Sequence, residues 1–288
     1  MEWRSLAVLA TRETLEALED TLWASGAVSV TVADADDNPI YEPGPGEEPL
    51  WDRLVVTGLF EEDVSLESLA ELVVDEGWQQ LDLSVLADKV WEREWLSRFR
   101  PMCFGERLWV CPSGYEVSEP GAVIMELDPG LAFGTGTHPT TRLCLEWLDG
   151  HIKHGMRVLD YGCGSGILGI GALLLGASSV VGVDNDPQAL TATHDNAERN
   201  QVGDRFSRCL PAQFQVSEFD VVVANILAQP IIELADLLLS CVRPGGYLIL
   251  SGIMSGQKDW VLAAYTRAEI TEVREIDGWI SIAARRPV

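Results

Sequence analysis

Apolar and polar positions change rhythm along the chain. Residues 3–10 alternate as a half-buried strand does. Residues 12–25 then space their apolar side chains as a helix, with Thr11 as the expected N-cap and Gly26 as the stop. Residues 28–33 and 53–60 read as further strands on either side of a polar, Pro/Gly-rich stretch, 34–49. A second helix is expected over 65–76, capped by Ser65 and ended by Gly77. This β-α-β-β-α order predicts a small α/β domain of ferredoxin-like type, and no motif in it carries chemistry. Residues 89–100, KVWEREWLSRFR, read as a charged, aromatic connecting helix broken by Pro101. Strand-like pieces follow at 107–111 and 122–126.

From Arg157 the pattern becomes repeated strand, turn and helix. Strands are expected at 157–162, 180–185, 206–209, 219–226 and 247–253. Helices are expected at 140–148, 167–175, 187–200, after Pro230, and at 261–267. RPGG, residues 243–246, reads as a turn, and 269–286 as two strands joined by Asp277-Gly278. Near-continuous apolar strands alternating with helices imply a buried, mostly parallel, seven-stranded sheet covered on both faces. The expected domains are therefore 1–88, a linker at 89–105, and 106–288.

Composition narrows the partners. The formal net charge of the 288 residues is −25, unevenly spread: residues 1–100 hold 23 acidic against 7 basic residues. Such a surface repels phosphate backbones, so nucleic acid is not expected to bind directly, whereas a basic protein is. The six cysteines form no CxxC pair and the four histidines are scattered, which argues against a metal centre or a disulfide framework. The N-terminus shows neither a basic leader nor a cleavage site, so a reducing, cytoplasmic setting is expected. Residues 161–183 carry no charge and are long enough to span a bilayer, but seven of them are glycines. Three of these, Gly162, Gly164 and Gly166, stand at every second position and break a helix start. No membrane segment is expected.

Chemistry concentrates where strands end, because ligands of such sheets lie beyond the carboxyl ends of the strands. The first strand runs into Asp160-Tyr161-Gly162-Cys163-Gly164-Ser165-Gly166, whose glycines let backbone approach a ligand and lead into the positive end of a helix. The second strand ends at Asp184, which lies 18 residues after Gly166, near the spacing expected for an acid that accepts both ribose hydroxyls. The spacing is GxGxG, not the GxGxxG suited to a pyrophosphate. A second glycine loop, LAFGTGTHPTT at 131–141, precedes the helix leading into the first sheet strand. With a helix N-terminus and threonine donors, it is placed to hold the same ligand from the other side. Phe133, Thr137 and Thr141 are its expected contacts, Thr141 first; alternatively Thr141 is a plain cap. The fourth strand ends at Asn225, which either orients a reacting group or closes its own turn.

GxGxG with Asp160 upstream resembles motif I of the class I S-adenosylmethionine-dependent methyltransferases. Amino-group methyltransferases of that class commonly carry Asn or Asp at the end of the fourth strand, followed by two prolines and an aromatic residue. Here Asn225 is kept and the prolines are absent, which weighs against nucleobase and glutamine-amide targets. Taken together, LAFGTGTHPTTRLCLEWL, VLDYGCGSGILGI, GVDNDPQAL, DNAERN and DVVVANILA closely resemble the bacterial methyltransferases of large-subunit ribosomal protein eleven. The resemblance covers about 89–260 strongly and the N-terminal part weakly. It implies S-adenosylmethionine as cofactor, held at Thr141, Gly162, Asp184 and Asn225. It also implies methylation of the α-amine and lysine side chains of that protein, to the trimethyl state, and a substrate-recognising N-terminal domain on a flexible linker. In such a reaction Asn225 is the catalytic residue: its carbonyl accepts hydrogens of the attacking amine and aims its lone pair. Two other readings stand beside this one: a methyltransferase for another amine or amide, and a cofactor-binding scaffold without catalysis.

Overall fold

Alternation in the first strand decides the first layer. Leu6, Val8 and Ala10 point one way from β1 (Glu2–Thr11), and Leu54, Val56 and Phe60 do the same from its antiparallel neighbour β3 (Arg53–Phe60). Onto that face pack Leu18 and Leu22 of α1 (Leu15–Ala24) and Leu69 and Val73 of α2 (Leu66–Asp75). With β2 (Ser29–Asp34) and β4 (Gln79–Ala87) the sheet order is β2-β3-β1-β4, all antiparallel. This is the ferredoxin-like arrangement with a fourth strand that the periodicity did not reveal. The computed structural model describes residues 2–36, 51–87, 100–128 and 138–288. All but the last residue of the expected helix at 89–100, and most of the expected loop at 34–49, lie outside them.

Local signals explain the helix ends. Ser65 caps α2 by accepting the Ser68 N–H at 3.0 Å, and Gly26 and Gly77 take the left-handed backbone that ends each helix. Thr11 is not a cap. It is the last residue of β1, and its N–H donates to Thr14 Oγ1 at 3.0 Å, so the helix starts one turn later than expected.

The chain divides into two compact units, Met1–Trp91 and Glu92–Val288. The second opens with a three-stranded sheet of β5 (Met102–Phe104), β6 (Leu108–Cys111) and β7 (Val123–Glu126). There follow α3 (Pro139–His151), β8 (Arg157–Tyr161), α4 (Ile167–Leu174), β9 (Ser179–Val183), α5 (Pro187–Arg199), β10 (Phe206–Cys209) and β11 (Phe219–Asn225). Then come α6 (Ala228–Glu233), α7 (Ala235–Cys241), β12 (Val242–Met254), α8 (Lys258–Ala264), β13 (Glu269–Ile276) and β14 (Trp279–Arg285).

The large sheet is ordered β10-β9-β8-β11-β12-β14-β13, parallel from β10 to β12 and antiparallel at its last two strands. Val158 and Leu159 of β8 enter different apolar clusters, so the sheet is buried on both faces. The strand order reverses between β8 and β11, and that switch point opens a crevice at their carboxyl ends. The expected turn at RPGG instead lies inside the span of β12, where the pairing with β11 slips between Phe219 and Val221 and Gly245 has φ +75°. Asp277 and Gly278 both take positive φ, as a two-residue hairpin requires. The uncharged stretch 161–183 resolves into a loop, α4 and β9; among the described residues no helix is long and apolar enough to cross a membrane.

Candidate active site

At the switch point β8 gives way to the first glycine loop. Gly162, Gly164 and Gly166 have φ of +80°, +54° and +81°, a region in which a side chain is strained. The Gly162 and Cys163 N–H groups donate to Val183 O at 2.7 and 3.1 Å, which folds the loop against the end of β9. A Cβ on Gly162 would stand 2.2 Å from Ile226 Cγ2, so glycine is what allows the loop to lie beside the end of β11. From behind, α5 props the loop carbonyls: Thr193 Oγ1 donates to Gly164 O at 2.8 Å and Asn196 Nδ2 to Ser165 O at 2.9 Å. Neither residue stands out in the sequence. The structure buries Thr193 fully, one turn before Asn196 on the inner face of the helix, where its hydroxyl has to find a partner.

Asp184 follows β9 and is half-buried. Its carboxylate accepts the Gly164 N–H at 2.8 Å and the Asp186 N–H at 3.0 Å, tying the loop to the second strand. Asp186 caps α5 by accepting the Gln188 N–H at 2.8 Å, with Pro187 at the first position. Asp160 is fully buried under the loop. One of its oxygens accepts the Gly169 N–H at 2.9 Å and the other, Oδ1, has no hydrogen-bond partner among the described residues. Burial pushes its pKa up to about 7, opposed by the Gly169 hydrogen bond and reinforced by the Asp184 charge.

Asn225 is the last residue of β11 and pairs with Ser251 of β12. Its Nδ2 lies 3.4 Å from Thr141 Oγ1. Thr141 is fully buried in the first turn of α3, so the structure brings together two expected site residues that are 84 positions apart in the chain. The cap of α3 is His138, whose Nδ1 accepts the Thr140 N–H at 3.4 Å, which removes the plain-cap reading of Thr141. The His138 ring meets Trp279 edge-on at 4.8 Å between centroids, and burial lowers its pKa. Gly252, just past Ser251, has φ +87°, and a Cβ there would strike Ile226 O at 2.1 Å. The ends of β11 and β12 are thus in close contact, a feature that no motif announced. Phe133 and Thr137 lie outside the described residues.

The chemistry of these groups suits the cofactor that the resemblance implies. Asp184 offers a carboxylate for vicinal hydroxyls and the glycine loop offers close backbone, while the buried Asp160 carboxyl beneath the loop keeps one oxygen without a partner among the described residues. Among the described residues no group of three metal-ligating side chains converges.

Comparison with known proteins assigns the chain. A family model described as ribosomal protein L11 methyltransferase matches residues 2–287. A protein of that name from Methylococcus capsulatus is 50% identical over 290 residues, covering 99% of both chains. One from Pseudomonas aeruginosa is 51% identical over 291 residues, again covering 99% of both. A solved ribosomal protein L11 methylase from Lactobacillus delbrueckii subsp. bulgaricus superposes with a TM-score of 0.61 at 31% identity, covering 66% of this chain and all of that one. On its glycine loops, its strand-end acid and a match that runs nearly end to end, the chain belongs to the ribosomal protein L11 methyltransferase family.

Proposed function

We propose that the protein transfers methyl groups from S-adenosylmethionine to amines of ribosomal protein L11, namely the N-terminal α-amine and lysine side chains, to the trimethyl state. The observation that carries this reading is the meeting of Asn225 and Thr141 beside the glycine loop, at the end of β11. S-adenosylmethionine supplies a methyl group on a cationic sulfur. The attacking amine must be neutral and must approach in line. With Nδ2 turned to Thr141, the Asn225 amide presents Oδ1 on its opposite side, where it accepts an amine N–H and directs the lone pair. Asp184 holds the ribose hydroxyls, and Gly162 and Gly164 keep the loop close enough to enclose the cofactor. Phe133 and Thr137 are assigned to the cofactor by the loop pattern alone.

The acidic N-terminal unit is assigned to capture of the basic substrate protein, through residues 1–88, with 89–105 as the linker and 106–288 as the catalytic domain. The compartment is inferred to be the cytoplasm, in keeping with six free thiols. The test is incubation with S-adenosylmethionine and purified L11, followed by intact-mass and peptide analysis. Stepwise addition of three methyl groups to each modified amine is expected. Methyl transfer only to other proteins or to small amines overturns the assignment.

A further inference from the structure

Asp160 has a role that the site chemistry above leaves unused. It stands near the end of β8, two residues before Gly162, and is fully buried. Its Oδ2 accepts the N–H of Gly169, the third residue of α4, at 2.9 Å. That bond replaces the missing side-chain cap of the helix, because the N-cap position is held by Gly166 in the left-handed conformation. Oδ1 accepts no hydrogen bond from any described residue. Three titratable groups interact electrostatically with this carboxyl from the elements packed around it, and only Asp184 shifts it. Cys144 of α3 and Cys163 of the glycine loop are thiols pushed up to about 12 by burial, hence neutral. The like charge of Asp184, beyond β9, raises the Asp160 titration further. A dry carboxyl with one unmet oxygen and a like charge nearby favours its acid form, and burial moves its titration to about 7.

We propose that Asp160 is a proton-linked positioning residue of the cofactor site, protonated in the empty enzyme and ionised when the cationic cofactor settles on the loop. The inference rests on the reading of this crevice as an S-adenosylmethionine site. A ligand bearing a sulfonium and an α-ammonium group stabilises a buried carboxylate, so binding expels the proton to solvent. The sign follows. The carboxyl titrates lower in the complex than in the free protein, so affinity is full above the free-protein value and falls as pH drops below it. The fall approaches about tenfold per pH unit. Above about 7 the affinity is flat until the ligand's own α-amine titrates, at about 7.7–8.0.

The experiment is calorimetry of S-adenosylmethionine binding to the full-length protein near pH ~6.5, in buffers of low and high ionisation enthalpy. Wild-type protein is expected to release a substantial fraction of a proton. Asp160→Asn keeps an oxygen for the Gly169 N–H and is expected to release none, with affinity unchanging from about pH 5.5 to about pH 7. Binding by the wild type without release, or release undiminished in the variant, overturns the proposal. If Asp160→Asn does not fold, carboxyl-carbon NMR of the wild type decides. One aspartate titrating near neutrality in the free protein, and ionised throughout with cofactor bound, supports the proposal. Aspartates ionised in both states overturn it. Absence of any binding overturns the cofactor reading itself, and this proposal with it.

Discussion

The two strand-end side chains are proposed to divide the work of the site, and substitution should separate their roles. Asp184→Ala removes a carboxylate that now accepts two backbone N–H groups and is assigned to the ribose. Hydrogen bonds to charged groups contribute about 1.5–3 kcal/mol each, so cofactor affinity is expected to fall at least ~10²-fold in a folded variant, as calorimetry would show. Near-native affinity would sink that assignment. Asn225→Ala should leave cofactor affinity within a few-fold while kcat falls by about 10², the scale of losing one positioning group. Parallel losses in affinity and rate would make Asn225 a cofactor ligand and nothing more. With cofactor saturating, kcat should rise with pH as the target amine loses its proton, since free α-amines titrate at about 7.7–8.0 and lysines at about 10.4. A flat profile across that range, with chemistry shown to be rate-limiting, contradicts a neutral-amine attack. Gly162, Gly164, Asp184 and Asn225 were legible because their signal is local: a turn that needs positive φ, and an acid or amide ending a strand. The props Thr193 and Asn196 were not, because which face of α5 looks inward depends on the sheet it packs against.

Among the elements, α3 bears more than its length suggests. Its first turn carries His138 as cap and Thr141, and near its end Asp149 is buried against the turn between β5 and β6. There the Asp149 carboxylate accepts the Glu106 and Arg107 N–H groups at 2.7 and 3.2 Å. The Arg107 Nε lies 3.3 Å from Oδ1. A Cβ on Gly105, at φ +76°, would collide with the carboxylate at 2.5 Å. Arg107 is about half exposed, so its ion pair adds little; the two backbone N–H groups left without an acceptor are the larger loss. Asp149→Ala is therefore expected to destabilise the catalytic unit by about 2–4 kcal/mol, measured by denaturant unfolding. A change within ~0.5 kcal/mol would show that the turn holds without it. The expected helix stopped at residue 148, one short of this contact. Other departures have similar causes. β4 escaped notice because Gln79, Gln80, Asp82 and Ser84 dilute the apolar positions of an edge strand. α6 begins two residues before Pro230, since the first turn of a helix has no use for that N–H. The parallel strands were the most legible elements, because burial on both faces writes them as apolar runs.

At the scale of the whole molecule, charge and chemistry are carried by different parts of the chain. The first hundred residues have a net charge of −16, from 23 acidic and 7 basic side chains, whereas the glycine loop, Asp184 and Asn225 all lie in the second unit. The N-terminal unit has its own apolar core, built on Leu6, Val8, Leu54, Val56 and Phe60, so its fold does not depend on the site. A separately folded acidic unit with no catalytic group is well suited to collecting a basic protein, and such attraction is screened by salt over about a Debye length. The KM for L11 should therefore rise steeply between low and physiological ionic strength while the cofactor Kd changes little. A fragment that begins at Pro101 keeps every described residue of the proposed cofactor site and the second unit's own clusters around Val158 and Leu159. It is expected to fold and to bind S-adenosylmethionine within a few-fold of the full chain, yet to lose nearly all methylation of L11. Measured side by side, cofactor binding and protein methylation separate the possibilities. Methylation retained at the full rate removes capture from the N-terminal unit. A fragment that fails to fold shows instead that the acidic unit is needed to complete the catalytic one. Binding kept and methylation lost, with the loss growing less pronounced against the full chain as salt is raised, is the result that acidic capture requires.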